Sequence, residues 1–363
     1  MPLPLQALLP TELSAACAID LADARRIVSQ VHRHGRLPDR CPATIRRAAL
    51  DAARRLGHVP AIALVERRES REDPFVKLVF RLDDAQVIET VRIPLEKPGR
   101  FSVCVSSQVG CALGCAFCAT GRLGLRRNLE AWEIVEQVRE VREGLPPGAR
   151  AHGVLFQGMG EPMANLDRVI QAIRVLSEPC AQAIDMRNIT VCTAGLPAGI
   201  RRLARELPAV RLGVSLGAVL PGARRSLMPI DETHPLAEVM DATAEHARRS
   251  GHAPMLAYTL LDGRNDSDAD ADALASLALS LGAEAGVMPR LSLIPYNTLG
   301  EGDPFARSAR LSAFRDRVRA RGVGTILRYS GGGDVGAACG QLAGRNDAAA
   351  RGRGLRAAPP SEG

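Results

Sequence analysis

Four cysteines crowd residues 103–121, "VCVSSQVGCALGCAFCATG", with the spacing C-x6-C-x3-C-x2-C. Cys111, Cys115 and Cys118 can converge on one metal centre if the chain loops around it, and Gly114 and the intervening alanines leave room for that loop. Clustered thiolates suit iron–sulfur clusters and zinc. A 4Fe–4S cluster normally takes four cysteines, so three would leave one iron open to a substrate, much as a catalytic zinc keeps one position free. Zinc is the first rival, but zinc modules usually supply a second C-x2-C or an H-x3–5-H pair. No second C-x2-C exists, and the His246–His252 pair straddles a predicted helix end far along the chain. A group of buried thiols without a ligand is the other rival. Cys104, just ahead of the group, and Cys339, in "GAACGQLAG", are by themselves either small buried residues or reactive thiols.

The surrounding pattern says what must position these sulfurs. From about residue 100, strand-like runs ("SVCVSS", "GVLFQGMG", "NITVCTAG", "RLGVSLGA", "MLAYTLLDG", "RLSLIPYN") alternate with amphipathic helices such as "NLEAWEIVEQVREVREG". On that helix Ala131, Ile134, Val135, Val138 and Val141 share one face. "THPLAEVMDATAEHARRSG" and "DADALASLALSLGAEAG" repeat the theme. This alternation predicts an α/β fold, a parallel sheet with crossover helices whose chemistry gathers on loops after the strands. Ahead of it, "AIALVERR", "FVKLVFRL" and "QVIETVRIP" read as a small antiparallel piece. Residues 1–58 read as a helical domain, one helix running from a Thr11 cap to a Gly35 stop and a second from Pro42 to Gly57. The divisions are thus 1–58, 59–99, 100–345 and a low-complexity tail, 346–363, expected to be disordered.

The chain has 363 residues, a hydrophobic share of 46%, and only 3% aromatics, so its core must be largely aliphatic. No basic leader precedes an apolar run at the start, and no segment is apolar enough for a membrane span, so a cytoplasmic protein with reduced thiols is expected. Net charge is +7, and of the 47 basic residues only Lys77 and Lys97 are lysines. Arginine forks match phosphates, which is compatible with a nucleic-acid partner, although coding bias and solvated arginines give the same composition. Arg46, Arg47, Arg54 and Arg55 could present a basic helix face to RNA, or simply face water.

CxxxCxxC at the end of a first strand resembles the radical S-adenosylmethionine (SAM) superfamily. Together with "GMGEPMAN", "LMPI", "LLDGRNDS", "LIPYN" and "AACGQLAG", in order from about residue 80 to 345, it resembles the Cfr/RlmN family of radical SAM RNA methyltransferases. The resemblance implies a partial (β/α) barrel with an N-terminal helical accessory domain. It implies one 4Fe–4S cluster on Cys111, Cys115 and Cys118, and two SAM molecules consumed per methylation. The product would be an adenine of ribosomal or transfer RNA methylated at carbon 2 or carbon 8. These carbons resist polar methyl transfer, hence the need for a radical cofactor. A monomer fed electrons by flavodoxin or ferredoxin is expected.

By the same resemblance Cys339 matches the methyl-carrying cysteine, Cys104 the cysteine that resolves the protein–RNA adduct, and Glu89 the general base. Gly160 and Glu161, Cys192, Ser215, Leu216 and Gly217, and Asn297 match SAM-binding positions. Pairing of Cys104 with Cys339 would be a stage of turnover, and the Gly-rich loop would make Cys339 mobile. The match departs from the pattern at four places. Cys192 stands for serine, Gly217 for histidine, and Gly331 and Gly333 for Arg and Asp; Asp334 remains. A radical SAM enzyme of another class would not need Cys339 and Cys104, and a non-enzymatic metal module that binds RNA would not cleave SAM.

Overall fold

The computed structural model describes residues 2–343; the expected disordered tail and the last two residues of the 100–345 segment lie outside them. Helices α1 (Pro10–Cys17), α2 (Leu21–His34) and α3 (Arg47–Leu56) pack Leu13, Ile27, Val31 and Leu50 into a small core of their own. The single helix expected from Thr11 to Gly35 is therefore two. Ala18 takes a left-handed φ of 50° that ends α1, and Asp20 restarts the chain by accepting the Ala22 N–H at 2.8 Å. Pro10, not Thr11, opens α1, its preceding N–H satisfied by the Glu12 carboxylate at 2.8 Å. The next helix starts at Arg47 rather than Pro42, after a turn that the buried Asp23 carboxylate ties down through Arg46, at 2.7 Å. Arg46 and Arg54 are used inside this domain, Arg54 donating to Pro38 O at 2.6 Å, while Arg47 and Arg55 face solvent. A two-residue parallel pair, β1 (Leu3–Pro4) with β2 (Gly57–His58), closes the domain.

Strands β3 (Ala63–Glu69), β4 (Val76–Arg81) and β5 (Val87–Pro94) form the expected antiparallel meander. They do not make a separate sheet. β5 pairs antiparallel with β6 (Arg100–Cys104), the first strand of the parallel series. After a hairpin of β7 (Gln108–Cys111) and β8 (Gly124–Asn128), the series continues through β9 (Arg150–Phe156), β10 (Ile189–Thr193), β11 (Arg211–Ser215), β12 (Met255–Leu260), β13 (Arg290–Pro295) and β14 (Thr325–Leu327). The ten-stranded sheet runs β14-β13-β12-β11-β10-β9-β6-β5-β4-β3, open at both ends, which is the partial barrel. Parallel strands are covered on both faces, so they read as near-continuous apolar runs; five of the six β13 residues are buried.

Helices α4 (Ala131–Glu143), α5 (Leu166–Ser177), α6 (Pro197–Glu206), α7 (Ala223–Leu227), α8 (Leu236–Ser250), α9 (Asp268–Ala285) and α10 (Leu311–Ala320) lie between the strands. On α4 the face predicted from spacing is the buried one: Ile134, Val135, Val138 and Val141 are all at most 2% exposed. α9 is bounded as its sequence implies, by a Ser267–Asp270 capping box and by Gly286 at φ 72°. Because β6 and β9 to β14 run the same way, the segments after them share one edge of the sheet. All the candidate site residues except Glu89 lie at the ends of those strands or in the segments that follow them. No helix among the described residues is long and apolar enough to cross a membrane.

Candidate active site

The hairpin puts Cys111 at the end of β7, buried. Gly110 before it has φ 75°, and a Cβ there would stand 1.9 Å from the Gly124 carbonyl oxygen of β8, so only glycine allows the two backbones to meet. The loop then turns at Gly114 (φ 64°), Cys118 N–H donates to Cys115 O at 3.1 Å, and Ala116 N–H donates to Leu227 O at 2.9 Å. Cys111, Cys115 and Cys118 line one cavity, together with Gly160, Glu161, Cys192, Ser215 and Cys339. Burial pushes the Cys111 thiol up to about 11 and raises Cys115 and Cys118; for Cys115 the neighbouring Cys118 and Cys111 sulfurs add to it. Among the described residues no three His, Cys, Asp or Glu side chains close round one point as ligands of a single ion. Three sulfurs on the wall of a shared, largely apolar cavity are a donor set that fits a 4Fe–4S cluster.

Gly160, which lines the same cavity, has φ 99°, and a Cβ there would meet the Gln108 Cβ at 2.5 Å, so only glycine lets this loop pack on β7. The Glu161 carboxylate, raised by burial, accepts Met163 N–H at 3.0 Å and Ala194 N–H at 2.8 Å, with the Thr193 hydroxyl as a further donor. Ser215 and Cys192 reach the cavity, but three expected contacts do not line it. Leu216 is fully buried with its carbonyl held by Arg224 Nε at 3.0 Å, and the Gly217 carbonyl accepts from Asn265 at 2.6 Å. Asn297 spends its amide on Ser330 Oγ (2.7 Å) and the Cys339 carbonyl (3.1 Å), so here it braces the Cys339 loop.

A second cavity lies against the first. Cys104, Val91, Leu155, Arg328, Tyr329 and Leu342 are on its walls, and Cys339 and Gln157 line both cavities. Cys104 ends β6 directly opposite Val91 of β5, and Glu89, two residues earlier on β5, points to the same face of the sheet. Burial drives Cys104 and Cys192 each up to about 12, with Cys339 adding and Arg328 opposing. The Arg328 guanidinium faces the sulfurs of Cys339, Cys192 and Cys104, and its buried Nη1 has no hydrogen-bond partner. All nine cysteines are free thiols.

Glu89 is 1% exposed and forms an ion pair with Lys77 at 3.2 Å. Burial raises its carboxyl, with Lys77 opposing. The pair grips both ends of the Cys339 segment: Lys77 Nζ donates to Gly336 O at 3.2 Å and Ala343 N–H donates to Glu89 Oε2 at 3.2 Å. Gly340 O accepts from Ala119 N–H at 2.8 Å, and Thr120 Oγ1 donates to Leu342 O. The loop expected to be mobile is thus tied at several points.

The departures from the family pattern have physical counterparts. At Gly217, φ 69°, a Cβ would stand 2.5 Å from Met228 Sδ, so the histidine of the pattern has no place here. At Gly331 a Cβ would meet Phe75 at 2.5 Å and Asp73 at 2.6 Å, so the arginine of the pattern is excluded by side chains from before β4. Cys192 Sγ lies close over Gly213 of β11. Arg328, Gln157 and Tyr329 were not singled out from the sequence. Arg328 is one of many arginines, and only the cavity it enters distinguishes it.

The radical SAM superfamily model matches residues 105–275. A probable RNA methyltransferase of Sorangium cellulosum is 67% identical over 98% of this chain and 96% of that protein. The dual-specificity RNA methyltransferase RlmN of Syntrophobacter fumaroxidans is 44% identical over 77% of this chain and 79% of its own length. A crystal structure of a radical SAM methyltransferase from Sphaerobacter thermophilus superimposes with a TM-score of 0.82 at 37% identity, covering 95% of this chain and all of that one.

Proposed function

The chain belongs to the Cfr/RlmN family of radical SAM RNA methyltransferases, and from that premise we propose that it methylates carbon 2 or carbon 8 of an adenine in ribosomal or transfer RNA through a methyl group carried on Cys339. One observation carries the reading: Cys339 stands in the wall common to two cavities, the first holding Cys111, Cys115, Cys118 and Glu161, the second holding Cys104 and Arg328. A carrier that takes a group on one side and delivers it on the other needs that position.

In this reading Gly160, Glu161, Cys192 and Ser215 hold SAM, the Glu161 carboxylate taking its amino group. The Cys339 thiolate bonds to the methyl carbon of a first SAM, becoming a thioether and displacing S-adenosylhomocysteine. When bound to Cys111, Cys115 and Cys118, a 4Fe–4S cluster supplies, from a donor such as flavodoxin or ferredoxin, the electron that splits a second SAM and so activates the S-methyl carbon. The carbon, still bonded to Cys339 and having given one hydrogen atom to the adenosyl fragment of the second SAM, would join the adenine; Glu89 would take the proton released there, and the odd electron would go back to the cluster held by Cys111, Cys115 and Cys118. Cys104 attacks the Cys339 sulfur, the S–S bond forming as the S–C bond breaks; the released carbon keeps the bonding pair and takes up a proton to become the methyl group, and a thiol reductant reopens the disulfide. Arg328 favours the thiolate form of Cys104 and of Cys192.

The test is anaerobic purification followed by mass spectrometry of the peptide that contains Cys339. A methyl mark there, lost in Cys339→Ala together with RNA methylation, supports the proposal. Unmarked protein whose SAM cleavage and turnover survive Cys339→Ala refutes it in favour of an enzyme that only abstracts hydrogen.

A further inference from the structure

The second cavity is bordered by Tyr329, which at 68% exposure is the most exposed large apolar side chain among the described residues. In a chain with three tyrosines, seven phenylalanines and one tryptophan, an aromatic ring left in solvent beside the carrier cysteine calls for a reason.

The ring is not loose. Its hydroxyl donates to Asp73 Oδ2 at 2.8 Å, and the same oxygen accepts Gly332 N–H at 2.8 Å. Asp73 is itself fixed by the Phe75 N–H at 3.0 Å. Phe75, 8% exposed, braces the ring edge-on, with centroids 6.0 Å apart at 63°. Glycine at 331 is required for this arrangement, since a side chain there would displace Phe75 and Asp73. One edge and the hydroxyl are held while much of the ring remains open to solvent. The neighbouring wall residues Ser330, Gly331, Ala337 and Ala338 bring no charge.

A base delivered into a closed site leaves its stack, and its neighbours on the strand lose a stacking partner. An aromatic face held rigid at the entrance replaces that partner for any of the four bases, since each has a π-face. We propose that Tyr329 is a stacking platform for an RNA base adjacent to the target adenine, held in its pose by Asp73 and Phe75. The ligand class is an unpaired nucleobase of single-stranded RNA, recognised by its face and not by its edge. The inference rests on the methyltransferase reading above.

The experiment measures binding of a short labelled single-stranded oligoribonucleotide with one adenosine, and of the same oligonucleotide made abasic beside that adenosine. Tyr329→Ala should weaken binding roughly ten- to hundredfold, the range for one base on one aromatic ring. Tyr329→Phe and Tyr329→Trp, which keep a ring, should bind nearly as the wild type does. The abasic oligonucleotide should bind wild type as weakly as Tyr329→Ala binds the intact one, and Tyr329→Ala should lose little more on it. Equal binding by Tyr329→Ala, a loss in Tyr329→Phe matching that in Tyr329→Ala, or indifference to the abasic site overturns the proposal. Methylation of Cys339 is read in the same preparations. If it is present in wild type and in Tyr329→Ala, a negative binding result condemns the platform alone; if wild type lacks it, the methyltransferase reading fails first.

Discussion

Replacing Lys77 by methionine tests the buried pair that brackets the Cys339 loop. Lys77 Nζ and a Glu89 oxygen are 3.2 Å apart with side chains 6% and 1% exposed. At an effective dielectric of about 20 their attraction is about 5 kcal/mol, largely offset by the cost of taking both charges out of water. Removing one partner leaves the other buried and uncompensated, so Lys77→Met should lose about 3–5 kcal/mol of unfolding free energy in urea titrations. Burial already holds the Glu89 carboxyl above its ordinary range, and Lys77 is the main influence opposing this. A group raised in the folded state contributes fully in acid, and that contribution is lost as pH rises through its folded value. Without Lys77 the carboxyl rises further, so the deficit of Lys77→Met should be large at neutral pH and shrink in mild acid. The double variant Lys77→Met/Glu89→Gln removes both charges and keeps an oxygen for the Ala343 N–H. It should recover to within about 1 kcal/mol of wild type, yet methylate no RNA, since the proposed base is gone. Lys77→Met as stable as wild type at neutral pH would refute the buried pair. Retained methylation in Glu89→Gln would refute the base.

Three further outcomes are expected. Gly110→Ala drives a Cβ to 1.9 Å from the Gly124 oxygen at a positive φ, so it should cost about 2 kcal/mol or more, and anaerobically reconstituted protein should hold far less iron by elemental analysis. Arg328→Met removes the cation that opposes the rise of Cys104, already pushed up to about 12, so alkylation of Cys104 followed by peptide mass spectrometry should begin at higher pH than in wild type, whereas Arg328→Lys should shift it less. Cys104→Ala removes the thiol proposed to resolve the adduct on Cys339, and a covalent protein–RNA species should accumulate on denaturing gels under turnover conditions.

Much of the architecture could be read from periodicity, because a buried parallel strand or an amphipathic helix writes its burial into consecutive residues. The runs around Val103, Val154, Val191, Val214, Leu256 and Leu293 all became strands of the sheet. Boundaries set by backbone angle were hidden. Nothing in the apolar spacing marks Ala18 as left-handed, so α1 and α2 looked like one helix. β7 runs into the cysteine motif at Cys111 and β8 follows it, both short, and β14 is three residues long with Ile326 and Leu327 exposed, which leaves no pattern to find. The cysteines were legible because spacing and resemblance both point at them. Arg328 and Tyr329 were not, since what they do depends on which cavity wall the chain brings them to after β14. Asn297 shows the converse: a residue assigned to SAM is found bracing the loop that carries Cys339.

The ties around residues 336–343 bear on how a sulfur can serve two chambers. With Gly336, Cys339, Gly340, Leu342 and Ala343 each anchored through a main-chain atom, the segment is a fixed pivot. In the proposed mechanism, passage of Cys339 from the donor side to the acceptor side would then reduce to a swing about its Cα–Cβ bond, one staggered well to another, on the nanosecond scale of rotamer exchange. Such a shuttle works as a switch with discrete throws, so the pace of turnover would be set by chemistry or by the arrival and departure of RNA, and not by unlatching of the backbone.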